Sequence, residues 1–224
     1  MAEVKVPRFM ISAPGSGSGK TTIVCGLLKA LMEKGLSVAA FKSGPDYIDP
    51  MFHSRVIGAK SRNLDLFMLG QATSRYLVAK NARHADVAVF EGAMGFYDGM
   101  GKTTEASAYE LACTCDVPVV LVVNGKGAAL SIAATIKGFK EFRSDSHIVG
   151  AILNNVNPMS YLFYKDVIER ETGVKLLGYF PVMQDCNFES RHLGLVTAEE
   201  IGDLQQIVAK LAACLKCGSR SARR

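Results

Sequence analysis

The sequence predicts an α/β protein built on a doubly wound, mostly parallel sheet. Three observations carry that expectation. Short runs that are apolar at nearly every position recur along the chain, and such runs are strands buried on both faces. Segments of helical periodicity separate them, which is the pattern of parallel strands joined by right-handed crossovers. A glycine-rich loop joins the first strand to the first helix, where sheets of this class bind phosphate groups.

The elements follow in order. Arg8 to Ala13 reads as a strand and Lys20 to Lys34 as a helix, closed by Gly35 as a stop signal. Ser37 to Lys42 is the next strand. The segment from Ser43 to Arg62 resists assignment, because Gly44, Pro45 and Pro50 break any periodicity. Helical patterning returns from Leu64 to Arg83, then Asp86 to Glu91 is a strand and Gly92 to Gly101 a second glycine-rich loop. A helix from Thr104 leads to strand Val117 to Asn124, then a helix from Ala128 to Phe142 and strand His147 to Asn154. A helix from Met159 to Glu171, strand Lys175 to Phe180 and a closing helix from Thr197 to Leu215 complete the order. One domain over 1–215 and a flexible basic tail over 216–224 are expected.

Composition narrows the function classes. With 49% hydrophobic and 21% charged residues in 224, the chain is neither disordered nor of low complexity. A domain of this length buries roughly 70–75% of its unfolded surface and needs no staple. The longest apolar runs, such as Val117 to Val123, are too short to cross a bilayer, and the first strand follows the N-terminus without a signal peptide. A cytoplasmic location and no membrane partner are expected. Of the net charge of +5, four units come from Lys216, Arg220, Arg223 and Arg224 in the tail. The body is close to neutral, so nucleic acid is not an expected partner. The six cysteines are expected to be buried thiols, and Cys214 and Cys217 lack the second pair that a zinc site requires.

The strongest motif is Pro14-Gly15-Ser16-Gly17-Ser18-Gly19-Lys20-Thr21-Thr22. It meets G-x-x-x-x-G-K-[ST] except at its first position, which shapes the turn and makes no obligatory ligand contact. Glycines let successive backbone N–H groups curl around a phosphate, and the helix start adds positive potential. Gly15 through Thr22 are therefore read as a nucleoside triphosphate cradle of the P-loop type, with Lys20 reaching the β/γ-phosphates and the Thr21 hydroxyl offered to Mg²⁺. A metal partner should end a neighbouring apolar strand, and Glu91 after Val87-Ala88-Val89-Phe90 fits. Asp46 and Asp98 are further hard-oxygen candidates, and Lys42 could neutralise transferring phosphate charge.

Several longer blocks carry a family likeness. Lys42-Ser43-Gly44-Pro45-Asp46-Tyr47-Ile48-Asp49-Pro50, Phe52-His53, Asn63-Leu64-Asp65, Glu91 through Gly99 and Arg191-His192-Leu193-Gly194-Leu195 resemble cobyrinate a,c-diamide synthase. More distantly the chain is similar to dethiobiotin synthetase, whose fold the resemblance implies. It implies an amidoligase that uses ATP and Mg²⁺ to convert carboxylates of a corrinoid or related tetrapyrrole into amides through an acyl phosphate. Lys20, Thr21 and Lys42 would handle phosphate, and Asp46 and Glu91 would join Thr21 around Mg²⁺. Asp98 would orient substrate or ammonia, set against a loop-capping role. Asn154 and Asn155 stand where related enzymes read adenine, set against turn residues. His53 would meet a carboxylate or lie on the surface, and Arg191 and His192 would face the macrocycle or the γ-phosphate. Tyr47, Phe52, Phe96 and Tyr97 would offer flat apolar surface to the tetrapyrrole, set against ordinary packing. The related ligases are compatible with a homodimer.

Two other readings share the loop. Switch ATPases of the partition or cell-division-site type carry a second lysine where this chain has Gly15, and tend to a basic last helix, whereas Glu199, Glu200 and Asp203 open this one. Dethiobiotin synthetase does not account for the long Ser43–Arg62 segment or the Arg191–Leu195 block. Relatives of the synthases usually add a glutaminase domain with a cysteine in a Gly-x-Cys-x-Gly elbow, a setting that none of the six cysteines has. A separate glutaminase subunit, the rest of a longer protein of which this chain is a fragment, or free ammonia is expected to supply the nitrogen.

Overall fold

In the computed structural model, residues 6–183 and 198–221 are described. Among them seven strands form one parallel sheet: β1 (Arg8–Ser12), β2 (Val38–Ser43), β3 (Lys60–Leu64), β4 (Val87–Glu91), β5 (Val119–Asn124), β6 (Ile148–Asn154) and β7 (Lys175–Phe180). Their spatial order is β3-β2-β4-β1-β5-β6-β7. The α/β, doubly wound expectation stands.

Alternation along each strand divides the core in two. Met10, Phe41, Ala88, Phe90, Leu121 and Val123 point to one face, and Ile11, Ala40, Val87, Val89, Val120 and Val122 to the other. Successive side chains on a strand leave opposite faces, so an uninterrupted apolar run means that helices cover both. The first face is covered by α3 (Leu66–Ala82), α4 (Ala108–Cys115), α5 (Ser131–Glu141) and α6 (Pro158–Thr172). The second is covered by α1 (Lys20–Met32), the short α2 (Ile48–Phe52) with the π-helical turn His53–Ile57 that continues it, and α7 (Ala198–Ser221).

The unassigned stretch after β2 proves to be ordered. Pro50 is third in α2, inside the first turn, where its missing N–H costs no helical hydrogen bond. Strand β3 runs parallel to β2 with Asn63 opposite Lys42. Its sequence, Lys-Ser-Arg-Asn-Leu, is polar because β3 lies at the sheet edge in this order and buries only Ser61 and Leu64. An edge strand needs no apolar run, so periodicity gave no signal. The closing helix differs as well: it runs to Ser221, past Leu215 and into the segment read as tail.

The strand order places the site. Chain leaving β1 passes through α1 to β2 on one side, whereas chain leaving β4 passes through α4 to β5 on the other. A crevice opens at the carboxyl ends of β1 and β4, where such sheets bind ligands. The two glycine-rich loops meet there, since Gly92 N–H donates to the Ile11 carbonyl (2.9 Å) and Phe96 N–H to that of Ala13 (2.8 Å).

Phe90 has no exposed surface and packs on Phe41 with ring centroids 4.9 Å apart. Phe90→Ala should therefore cost about 3–5 kcal/mol, read as a lower midpoint in urea unfolding. A shift below about 1 kcal/mol would mean that this face of β4 is not core.

Candidate functional site

The phosphate-loop sequence forms the turn expected of it. Gly19 has a φ of 91° and caps α1, whose N-terminus has no side-chain cap. The first-turn amides of α1 thus keep their positive end directed into the crevice. Gly19 is needed for a second reason: a Cβ there would collide with the Asn154 side chain. Asn154, at the end of β6, is buried and donates from Nδ2 to the Ser18 carbonyl (2.9 Å). It braces the loop from two strands away. Asn155 takes a positive φ of 59° and donates to Asn124 Oδ1 (3.1 Å), tying the ends of β5 and β6 together.

Lys20 turns back over the loop, donating to the carbonyls of Gly15 (3.0 Å) and Met94 (2.5 Å). Burial first, and the neighbouring Lys42 ammonium second, pull its pKa below the ordinary lysine value. A phosphate placed between these amines would relieve both effects.

Below the loop lies the densest charge cluster among the described residues. Glu91, 1% exposed, stands opposite Lys42 in the β2–β4 register. Its Oε1 accepts from Lys42 Nζ (2.8 Å) and from the Thr21 hydroxyl (2.7 Å). Lys42 Nζ also contacts Asp49 Oδ2 at 2.5 Å and Asp46 Oδ2 at 3.8 Å. Burial would raise the Glu91 pKa, but the Lys42 charge outweighs it and holds the carboxyl well below its usual range. Burial likewise opposes the charge on Lys42, and the Glu91 and Asp49 carboxylates overcome it, so the ammonium persists above the ordinary lysine pKa. Asp49 is the partner that loses: burial, and then the Glu91 charge, push it up to about 6 despite Lys42.

The structure brings together Lys20, Thr21, Lys42, Asp46 and Glu91, with Asp49, which sequence reasoning did not assign to the site, and His53, which it set between meeting a carboxylate and lying on the surface. Asp49 was visible only as part of a motif; its place on α2, one turn after Asp46, was hidden while the segment had no assigned structure. Asp46 Oδ1 accepts from Ile48 N–H (2.9 Å) and starts that helix, while Asn63 on β3 donates to the Asp46 carbonyl (2.6 Å). His53 is buried, with Nε2 3.4 Å from Glu91 Oε2 and Nδ1 3.3 Å from Ser61 Oγ. It meets a carboxylate, but one of the protein's own. The contact between His53 Nε2 and Glu91 Oε2 is long, and neither atom has another hydrogen-bond partner.

Asp98 caps its own loop, accepting from Gly95 N–H (2.8 Å), close enough to Lys20 for its charge to be felt there. A Cβ on Gly95 would stand 2.6 Å from the Pro14 carbonyl, so the two loops pack backbone to backbone. Of the four aromatic residues considered for a flat ligand, Phe52 and Phe96 are fully buried core, a correction that follows from their inward faces on α2 and the loop. Tyr97 packs among Phe96, Tyr109, Phe139 and Phe142. Tyr47 is 74% exposed beside Asp46 and remains available to a ligand. Arg191 and His192 lie outside the described residues. No described helix is long and apolar enough to cross a membrane.

Comparison with known proteins agrees with this geometry. Residues 9–195 match the family described as the CobQ/CobB/MinD/ParA nucleotide binding domain. A cobyrinate a,c-diamide synthase of Thermoplasma volcanium is 42% identical over 93% of this chain and 46% of its own length. That of Clostridium acetobutylicum is 42% identical over 93% of the chain and 48% of its own length. The chain thus spans about half the length of these curated relatives. Among solved structures, the signal recognition particle receptor FtsY of Elizabethkingia anophelis superposes with a TM-score of 0.59 at 14% identity, covering 91% of this chain and 66% of that one. The cell division protein MinD of Aquifex aeolicus gives 0.56 at 14%, covering 96% and 98%. At such identities the likeness concerns the fold, that of P-loop nucleotide-binding proteins.

The Asp49 shift has a measurable consequence. A carboxyl whose folded pKa is raised to about 6 contributes stability that is complete below the unfolded value, about 4, and lost as pH rises through the folded one. Asn imitates the neutral form. In metal-free buffer, Asp49→Asn should gain on the wild type by about 2–3 kcal/mol as pH rises from about 4 to 7, measured by urea unfolding. Parallel pH profiles would show that folding leaves the Asp49 pKa where it stands in the unfolded chain.

Proposed function

The chain belongs to the CobQ/CobB/MinD/ParA nucleotide-binding domain family, and from that premise we propose that it is the ATP-consuming domain of a cobyrinate a,c-diamide synthase. The reaction is amidation of side-chain carboxylates on a corrinoid-type macrocycle. The likeness to the named synthases supports the substrate class. One observation carries the chemistry: two buried lysines, Lys20 and Lys42, and a buried ionised Glu91 converge beneath an α1 N-terminus at the switch point of the sheet.

That arrangement suits two anions that must be brought together. Loop amides and Lys20 would hold the β- and γ-phosphates of ATP, and Lys42 would face the transferring group and the substrate carboxylate. A carboxylate oxygen attacks the γ-phosphorus, ADP departs, and an acyl phosphate results. Ammonia then adds to the acyl carbon and inorganic phosphate leaves with the former carboxylate oxygen. In this reading Asp98, besides capping its loop, would orient the entering nitrogen.

The donor set fits Mg²⁺. Thr21 hydroxyl, Glu91, Asp49 and Asp46 are all hard oxygens, and Glu91 is held ionised in a buried place, the donor chemistry that a hard divalent cation takes. When bound there, the ion would supply charge neutralisation for the phosphates. Thr21, Asp46 and Glu91 would hold it.

Ammonia in this reading comes from outside the described residues. Cys25 lies in α1, Cys113 and Cys115 in α4, and Cys214 in α7, each within a helix rather than on a strand–helix elbow. Burial raises the pKa of Cys25, Cys113 and Cys115, which keeps them protonated and poor nucleophiles. The 224-residue chain should amidate cobyrinic acid with ATP, Mg²⁺ and ammonium salts, and do nothing with glutamine. Starting from ¹⁸O-labelled carboxylate, label should appear in inorganic phosphate; phosphate free of label would eliminate the acyl phosphate. Lys20→Ala should lose nucleotide binding in calorimetry. Glu91→Gln should keep the fold and cut turnover by roughly 10²–10³, the scale for one preorganised electrostatic group; full turnover would remove Glu91 from the site.

A further inference from the structure

Lys42 does more in this geometry than wait for phosphate. Its ammonium sits among three carboxylates, at 2.8 Å from Glu91, 2.5 Å from Asp49 and 3.8 Å from Asp46. Those are the oxygens read above as cation ligands, and Thr21 hydrogen-bonds to the same Glu91 oxygen that Lys42 holds. A divalent ion and an ammonium cannot both occupy the centre of that cluster, because like charges a few ångströms apart in a buried site repel strongly. On the far side of Glu91 its other oxygen, Oε2, lies 3.4 Å from the buried His53 Nε2, so the carboxylate is held between the Lys42 ammonium and the imidazole.

We propose that Lys42 is a tethered counter-ion. Its ammonium neutralises the Asp46–Asp49–Glu91 cluster when no cation does, and it yields that place to a divalent ion once an incoming γ-phosphate offers it another partner. The inference rests on the nucleotide-and-metal reading of the site and concerns the order in which the site fills. Lys20 behaves in parallel: its ammonium is occupied by the Gly15 and Met94 carbonyls, and it too has an internal partner to exchange for phosphate. The two ammonium groups flank the phosphate loop from either side, so a γ-phosphate between them would draw on both. The consequence is synergy. Divalent cation alone binds weakly, because it must evict a covalently attached competitor at very high local concentration. With ATP present, the competitor has moved.

The test uses Mn²⁺ as a paramagnetic probe, its free concentration read by electron paramagnetic resonance, with no nucleotide present. Lys42→Met removes the competitor while keeping the length and burial of the side chain. It should bind Mn²⁺ about tenfold or more tightly than the wild type, and adding Glu91→Gln should abolish the gain. Removing one partner of a buried pair can also unfold a protein. For that case the readout is thermal: millimolar Mg²⁺ should restore folding or raise the Tm of Lys42→Met far more than that of the wild type. Mn²⁺ affinity equal to or below that of the wild type would overturn the proposal. So would an unfolded variant that Mg²⁺ does not restore. Neither measurement involves corrinoid or ammonia, so failed amidation alongside a gain in Mn²⁺ affinity would strike only the substrate reading.

Discussion

The constraint on which the rest of the structure depends is the need to keep Glu91 ionised in a place with almost no water. A buried carboxylate without compensation would take up a proton. Lys42 prevents this, and it can do so because β2 and β4 are hydrogen-bonded neighbours with the two residues opposite each other. That adjacency in turn requires the chain to return between β1 and β2 after first building β2 and β3. The fold and the charge pair are thus one arrangement: a different strand order would leave two unpaired buried charges, each expensive by itself.

Much of this was legible beforehand, and for identifiable reasons. The phosphate loop is a local device whose residues act through backbone geometry, so a string of nine residues describes it. Glu91 and Lys42 end apolar strands, and a strand end in a parallel sheet has a fixed relation to the ligand edge. What could not be read was long-range or hidden by local conflict. Asp49 joins the cluster only because Asp46 and Pro50 begin a helix together, in a stretch whose prolines and glycine erase every period. His53 reaches Glu91 because a π-helical turn and an edge strand bring Ser61 beneath it, and no spacing rule encodes such a meeting.

The aromatic residues teach the complementary lesson. Phe52 and Phe96 sit in motifs that look ligand-facing, yet both are core. Each anchors the segment that carries the chemistry: Phe52 pins α2, which presents Asp49, and Phe96 pins the loop that presents Asp98. A motif can therefore hold a site in place with one residue and face the ligand with its neighbour. Tyr47, by contrast, is exposed next to Asp46.

The contact between Asn154 and the phosphate loop carries a kinetic meaning. Since Gly19 accepts the Asn154 side chain in the space where a Cβ would stand, the loop is clamped by β6 whether or not an anion is present. Little conformational freedom is left for a nucleotide to freeze out. Encounter with the loop is then governed by diffusion and charge steering, not by a slow search for the right backbone shape. Motion in the proposed reaction would fall instead to side chains, which reorganise on far shorter timescales than a folding loop.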